Sequence, residues 1–383
     1  MKKTLLTICL VWMCFSLSAQ KIIDLSGKWS FSIDRQDNGE KEKWFSHTLN
    51  DFINLPGSMP EKLKGDEVTA KTQWTGSLYD SSYYYNPYME KYRKEGNIKF
   101  PFFLTPDKHY VGAAWYQKEV NIPADWKGER ILLFLERPHI ETTVWVNGQK
   151  TGMQNSLCVP HQYDITHYVR PGKCTITIRV DNRIKEINVG PDSHSITDQT
   201  QGNWNGIVGR ICLQTTPKTY FDDIQIYPEP EQKLARVKVV IKGTGTAKVK
   251  LSAESFNTDK KHIVPAIQQE IKLNKGVTET EMVLPMGNDM LLWDEFHPAL
   301  YKLKAEVTNG KKTEIKEIQF GMRRFEIKGK WFYVNGRKTQ LRGTVENCDF
   351  PLTGYAPMDV ESWERVFRIC RSYGLNHMRF HSW

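Results

Sequence analysis

Near its C-terminus this chain changes period, and that change limits its possible folds more than any other feature. Residues 334–338 read as a tight turn, with Asn335-Gly336 able to take the φ > 0 conformation a two-residue hairpin needs, and residues 339–342 as a short buried strand leaving through Gly343. After a polar loop over 344–358, Asp359 stands at a helix N-cap. Trp363, Val366, Phe367 and Cys370 follow at i, i+3, i+4 and i+7, and Gly374 closes the pattern. Residues 375–380 form another candidate strand. Strand, helix, strand requires a parallel pair joined by a crossover. That is how a (β/α)8 barrel begins, yet such a barrel takes about 250 residues and only 46 run from Lys338 to Trp383. The expectation is a fragment ending early in the barrel.

Upstream the pattern is antiparallel in character. Residues 131–135, 142–146 and 175–180 are β-branched or aromatic runs, the last two alternating by twos, with Asn147-Gly148 and Pro171-Gly172 as turns. A second set of short strands, over 237–241, 247–251, 270–273, 281–284, 301–307 and 314–320, matches what a small immunoglobulin-like sandwich needs. The predicted fold is mostly β. Residues 20–218 are expected to form an antiparallel sandwich, 219–321 an immunoglobulin-like sandwich, and 322–383 the incomplete start of a barrel.

Residues 1–19 read separately, as a secretory leader: Lys2 and Lys3 precede an apolar run and then the small residues Ser16, Ser18 and Ala19. An uncleaved anchor is the competing reading, but the run is shorter than the roughly 20 residues a span needs. The expected location is periplasmic or secreted, with no stable membrane insertion once the leader is removed. Without it, 51 basic residues face 44 acidic ones. They alternate, as in Glu40-Lys41-Glu42-Lys43, which describes solvated faces rather than a nucleic-acid surface. Five cysteines remain, Cys158, Cys174, Cys212, Cys348 and Cys370, an odd number at irregular spacing that suggests buried free thiols rather than a disulfide framework or zinc site. No phosphate loop, nucleophile elbow or metal motif is visible, and no cofactor is expected.

Several signatures occur in order: Phe320-Gly321-Met322-Arg323-Arg324, Phe332-Tyr333-Val334-Asn335-Gly336, Leu341-Arg342-Gly343 and Gly374-Leu375-Asn376-His377-Met378-Arg379. Upstream stand Trp145-Val146-Asn147-Gly148, Tyr163-Asp164-Ile165-Thr166 and Asn203-Trp204-Asn205-Gly206. Together they resemble glycoside hydrolase family 2, which includes β-galactosidases, β-glucuronidases and β-mannosidases. The resemblance implies that residues 20–218 are a jelly-roll sandwich and that the whole is a retaining glycosidase acting on terminal β-linked sugars, with two catalytic glutamates on the fourth and seventh barrel strands. At about 30 residues per βα step, both fall beyond Trp383. What remains is the rim of the first two strands, whose C-terminal ends face the active site in such barrels. Glu346, Asn347, Arg379, His381 and Trp383 are the candidate sugar-binding residues there, with Asp349 beside them. Arg379 matches the family's arginine and suits a bidentate hold on a carboxylate. The chain departs from its relatives in reading Thr344-Val345-Glu346-Asn347-Cys348 where a histidine-and-acid motif is usual, and Arg379-x-His381 in place of Arg-x-x-His.

Structural roles compete for each residue. Arg379 fits an ordinary barrel ion pair, His381 a satisfied interior histidine, and Glu346 a solvated loop acid. Trp145 reads most simply as core, and the polar, glycine-bounded Trp204 segment as a loop facing another domain. The aromatic-dense stretch 79–116 suits either sugar stacking or packing of a long loop. The competing function is a non-catalytic carbohydrate-binding or scaffold protein, and a secreted adhesin is a third reading. A glycan is the expected partner.

Overall fold

The computed structural model describes residues 20–381 apart from 77–80, 102, 186–192, 195, 199 and 348. The leader and Trp383 therefore lie outside the described residues. Two compact units emerge, one of residues 21–216 with 326–383 and one of 217–325.

In the larger unit the first 196 residues form a two-sheet sandwich. One sheet orders Ile22–Asp24, Gly206–Thr216, Arg130–His139 and His161–Asp164, with Gly57–Ser58 pairing Gly206–Thr216 beside them. The other orders Gln149–Asn155, Glu141–Val146, Gly172–Asp181, Ala113–Ile122, Gly27–Asp34 and Asp51–Leu55. Alternation explains the core: Val144 and Val146 point between the sheets, where they meet Ile176, Ile178, Leu133 and Leu213. Trp145, one residue out of phase, is also buried but on the outer face. There it stacks on Trp115 at 5.0 Å and is covered by Phe45 at 5.2 Å.

The smaller unit packs two antiparallel sheets around one core, Tyr220–Glu229, Leu234–Lys242 and Val277–Pro285 against Ile263–Leu273, Gly245–Phe256, Leu300–Asn309 and Lys312–Phe320. The first of these strands has no counterpart in the sequence reading, because Asp222, Asp223 and Gln225 interrupt its apolar pattern.

Beyond it, Trp331–Val334 and Arg337–Thr339 form the expected hairpin, with Asn335 at φ 50 and Gly336 at φ 77. The strand that follows runs Gly343–Glu346, so Gly343 opens it rather than closing it, and Leu341 is exposed. This strand pairs in parallel with His377–Phe380 through the helix Val360–Ser372. The Asp359 carboxylate accepts from Ser362 N at 2.7 Å, the expected N-cap, and Gly374 takes φ 77. Cys174 and Cys212 are buried free thiols, whereas Cys370 is half-buried and Cys158 exposed, contrary to a uniformly buried set.

Candidate functional site

Parallel strands place their C-terminal ends side by side, and here those ends carry the candidate residues. At the opposite end Asn376 ties the pair together. Its amide nitrogen donates to the Gln340 carbonyl, its side-chain oxygen accepts from Arg342 N, and its backbone N–H donates to Arg342 O. This side-chain bonding explains why residues 340–342 approach the second strand without joining the ladder.

The register Glu346↔Phe380 ends the ladder, and His381 N donates to the Glu346 carbonyl at 2.8 Å. Phe380 meets Trp363 of the crossover helix edge-on at 5.6 Å, and Trp363 stacks on Phe367. Phe380 and Met378 thus face the helix, and by register so do Thr344 and Glu346. Arg379, one residue out of phase, is exposed on the other face with Val345. The structure therefore brings Glu346 and His381 together through the backbone and sets Arg379 on the opposite side of the two-stranded sheet. Asn347 is exposed just beyond. Asp349 is close enough to feel Glu346: burial and that negative charge push its carboxyl above the usual range.

The sandwich also reaches this rim. The His194 ring lies 5.4 Å from that of His381 at 67°. The segment following the first parallel strand, residues 350–358, lies directly on the sandwich. The Tyr355 hydroxyl donates to Glu61 Oε2 at 2.7 Å, Ser58 Oγ donates to the Thr353 carbonyl, and Gly354 packs on the Trp204 ring. Burial pushes the Tyr355 hydroxyl up, and its bond to Glu61 adds to this. At Glu61 burial raises the carboxyl but hydrogen bonds from Lys62 and Tyr355 outweigh it, leaving it ionised and below its ordinary value.

Buried amides hold Trp204 in place. Asn205 Nδ2 donates to Gly112 O and Val180 O while its oxygen accepts from Tyr116. Asn203 Nδ2 donates to Thr75 Oγ1 and Asn182 O, and its oxygen lies 3.1 Å from His139 Nε2. His139 stacks on Trp204 at 4.7 Å, and the Tyr355 ring lies tilted against Trp204 at 5.5 Å. Trp204 is thus both buried and turned toward the C-terminal segment. Sequence reasoning marked Trp204, Glu346, Asn347, Asp349, Arg379 and His381, but not Ser58, Glu61, Tyr355 or His194 as their partners. Separations of 294 and 295 residues leave no sequence signal for such pairs.

The long aromatic stretch divides. Tyr83, Phe100 and Phe103 pack with Trp74, whereas Tyr85 and Tyr88 are 80% and 84% exposed. Among the described residues no group of three or more His, Cys, Asp or Glu side chains converges to hold a metal ion. The rim offers carboxyls, imidazoles and an amide, with a guanidinium on the other face, groups that hydrogen-bond hydroxyls or a carboxylate of a small polar ligand.

Residues 22–217 match the family model described as the sugar binding domain of glycosyl hydrolases family 2, and residues 219–323 match a second model of that family. A β-galactosidase of Thermoanaerobacter pseudethanolicus is 24% identical over 301 residues, 74% of this chain and 38% of that protein. The β-glucuronidase of Homo sapiens is 23% identical over 394 residues, 93% of this chain and 53% of that protein. The crystal structure of Ruminococcus gnavus β-glucuronidase superposes with a TM-score of 0.66 at 19% identity, covering 94% of this chain and 55% of the other, a likeness of fold. The chain spans about half the length, or less, of these relatives.

Proposed function

Because this chain belongs to glycoside hydrolase family 2, we propose that it is the N-terminal part of an exported retaining glycosidase that removes terminal β-linked sugars. In this reading residues 1–218 comprise the leader and a jelly-roll domain, 219–321 an immunoglobulin-like domain, and the segment from 322 the start of a (β/α)8 barrel. Glu346, Asn347, Arg379, His381 and Trp383 are its sugar-binding candidates, with Arg379 on the strand face opposite Glu346, and the two glutamates that protonate the leaving oxygen and attack the anomeric carbon lie further along the complete protein. The observation that carries this is the parallel ladder Gly343–Glu346 with His377–Phe380, which sets polar residues at the strand ends where such barrels do their chemistry. Support comes also from the relatives, which are β-galactosidases and β-glucuronidases.

Assay against aryl β-glycosides tests it in two steps. The 383-residue chain is expected to show no turnover above background, and the complete gene product is expected to hydrolyse at least one with retention of anomeric configuration. Turnover by the shorter chain would overturn the placement of both glutamates. Mass spectrometry of the secreted protein checks export, with cleavage expected after Ser18 or Ala19. A non-catalytic glycan-binding role has one observation in its favour, the exposed rings of Tyr85 and Tyr88. Glycan binding by the complete gene product without hydrolysis would select that role.

A further inference from the structure

The loop that follows the first parallel strand is fastened to the sandwich as well as to its own helix, whose Trp363 Nε1 donates to the Pro357 carbonyl at 2.8 Å. At residues 57–64 the sandwich turns sharply. Gly57–Ser58 pairs with Gly206–Ile207, and the approach is so close that a Cβ on Gly206 would lie 2.4 Å from the Gly57 carbonyl oxygen. Met59 N donates to Asn205 O at 2.7 Å, so this turn is bonded to the Trp204 segment. Against that platform sit four consecutive loop residues. Thr353 accepts from Ser58 Oγ, Gly354 at φ 81 lies on Trp204, Tyr355 donates to the Glu61 carboxylate, and Ala356 is 1% exposed. Two residues on, the Met358 methyl lies where a Cβ on Gly209 would come within 2.8 Å.

A loop held this way cannot move freely, and its upstream part carries Glu346, Asn347 and Asp349. Only three residues separate Asp349 from Thr353, too short a tether to decouple them. The contact is polar at its centre, where the ionised Glu61 carboxylate accepts a hydrogen bond from the Tyr355 hydroxyl, the one charge-assisted bond in the contact. Within the loop, Gly354 N donates to Phe350 O at 2.7 Å, closing a turn that transmits the anchor toward Asp349.

We propose that Glu61 and Tyr355 form a latch by which the sandwich positions the polar rim loop, making both positioning residues for the sugar site although neither belongs to it. The proposal rests on the glycosidase reading for its catalytic consequence. Its structural half stands independently.

Hydrogen exchange on the 383-residue chain reads the structural half. Tyr355→Phe and Glu61→Ala are each expected to accelerate exchange at residues 350–358 about tenfold or more, what a hydrogen bond to a charged group supplies, with the sandwich strands unchanged. Glu61→Gln, which keeps an acceptor, should restore most of the protection. In the complete gene product the same substitutions should lower kcat by about tenfold with a smaller change in KM. The Glu61→Ala, Tyr355→Phe double variant should be no worse than either single variant, because the two act as one unit. Unchanged exchange in Tyr355→Phe would overturn the latch, and faster exchange with unaltered kinetics would overturn the positioning role. If the complete product cleaves no β-glycoside, the glycosidase reading fails by itself, and the exchange result still upholds or overturns the latch.

Discussion

Gly354 takes φ 81 with its α-carbon against Trp204, so a methyl group there meets both left-handed backbone strain and the indole, whose Cβ would be 2.9 Å away. Gly354→Ala is expected to cost about 1–2 kcal/mol and to perturb the Trp204 environment, read as a thermal shift with altered near-UV dichroism. Two other residues, His139 and His161, make the sandwich sensitive to acid. Burial, with Arg137 adding repulsion, lowers His139 to about 3, and burial lowers His161 to about 4. Below pH 6.5 the unfolded chain takes up protons that the folded chain refuses. Stability is therefore complete above pH 6.5 and falls toward pH 4, by up to about 1.4 kcal/mol per pH unit for each histidine. Thermal melts from pH 7 to 4.5 check this, and His139→Gln should flatten the slope. Asp181, fully buried, also loses stabilisation as pH falls, but over a more acidic range. Burial raises its carboxyl, but bonds from Arg183 and Lys185 and the nearby Arg179 hold it far below the usual range, so its contribution persists above pH 4 and is lost only in stronger acid. Arg179→Met is expected to cost about 3 kcal/mol, the low end for a broken buried pair, because Arg183 and Lys185 still serve Asp181.

Among the elements, the hairpin and the crossover helix were legible in the sequence because their determinants are local. Asn335-Gly336 dictates the turn, and Asp359, the apolar stripe and Gly374 dictate the helix. Gly336→Ala places a Cβ at φ 77 and should cost about 1 kcal/mol, detectable as faster exchange across Trp331–Val334 with no change in the sandwich cores. The parallel strands were less legible. Residues 340–342 have the composition of a strand, yet Arg342 and Asn376 use their side chains to bind backbone across the pair, and the ladder begins only at Gly343. Asn376→Ala should remove two of these bonds and loosen the amides of Gly343–Glu346, with the hairpin unaffected. The missed strand Tyr220–Glu229 shows the same limit. Its acidic residues break the alternation, and only pairing with Leu234–Lys242 over its whole length makes it a strand.

At the scale of the whole molecule, two large apolar cores contrast with a C-terminal segment where Val345, Phe367, Ile369 and Phe380 remain 44–50% exposed. Amides after Gly343 are expected to exchange faster than those of either sandwich. Equal protection would show an organisation of that segment other than the one described. Composition and period alone determined that the chain is mostly β with one late crossover helix, and its ordered signatures determined the family, since strand alternation, turn residues and helix caps act over a few positions. Tertiary structure alone decided that Glu346 and Arg379 lie on opposite faces of the parallel pair, and that His194, Ser58, Glu61 and Trp204 meet the C-terminal segment. Contacts spanning hundreds of residues are set by how the sandwich closes, and no short stretch of sequence contains both partners.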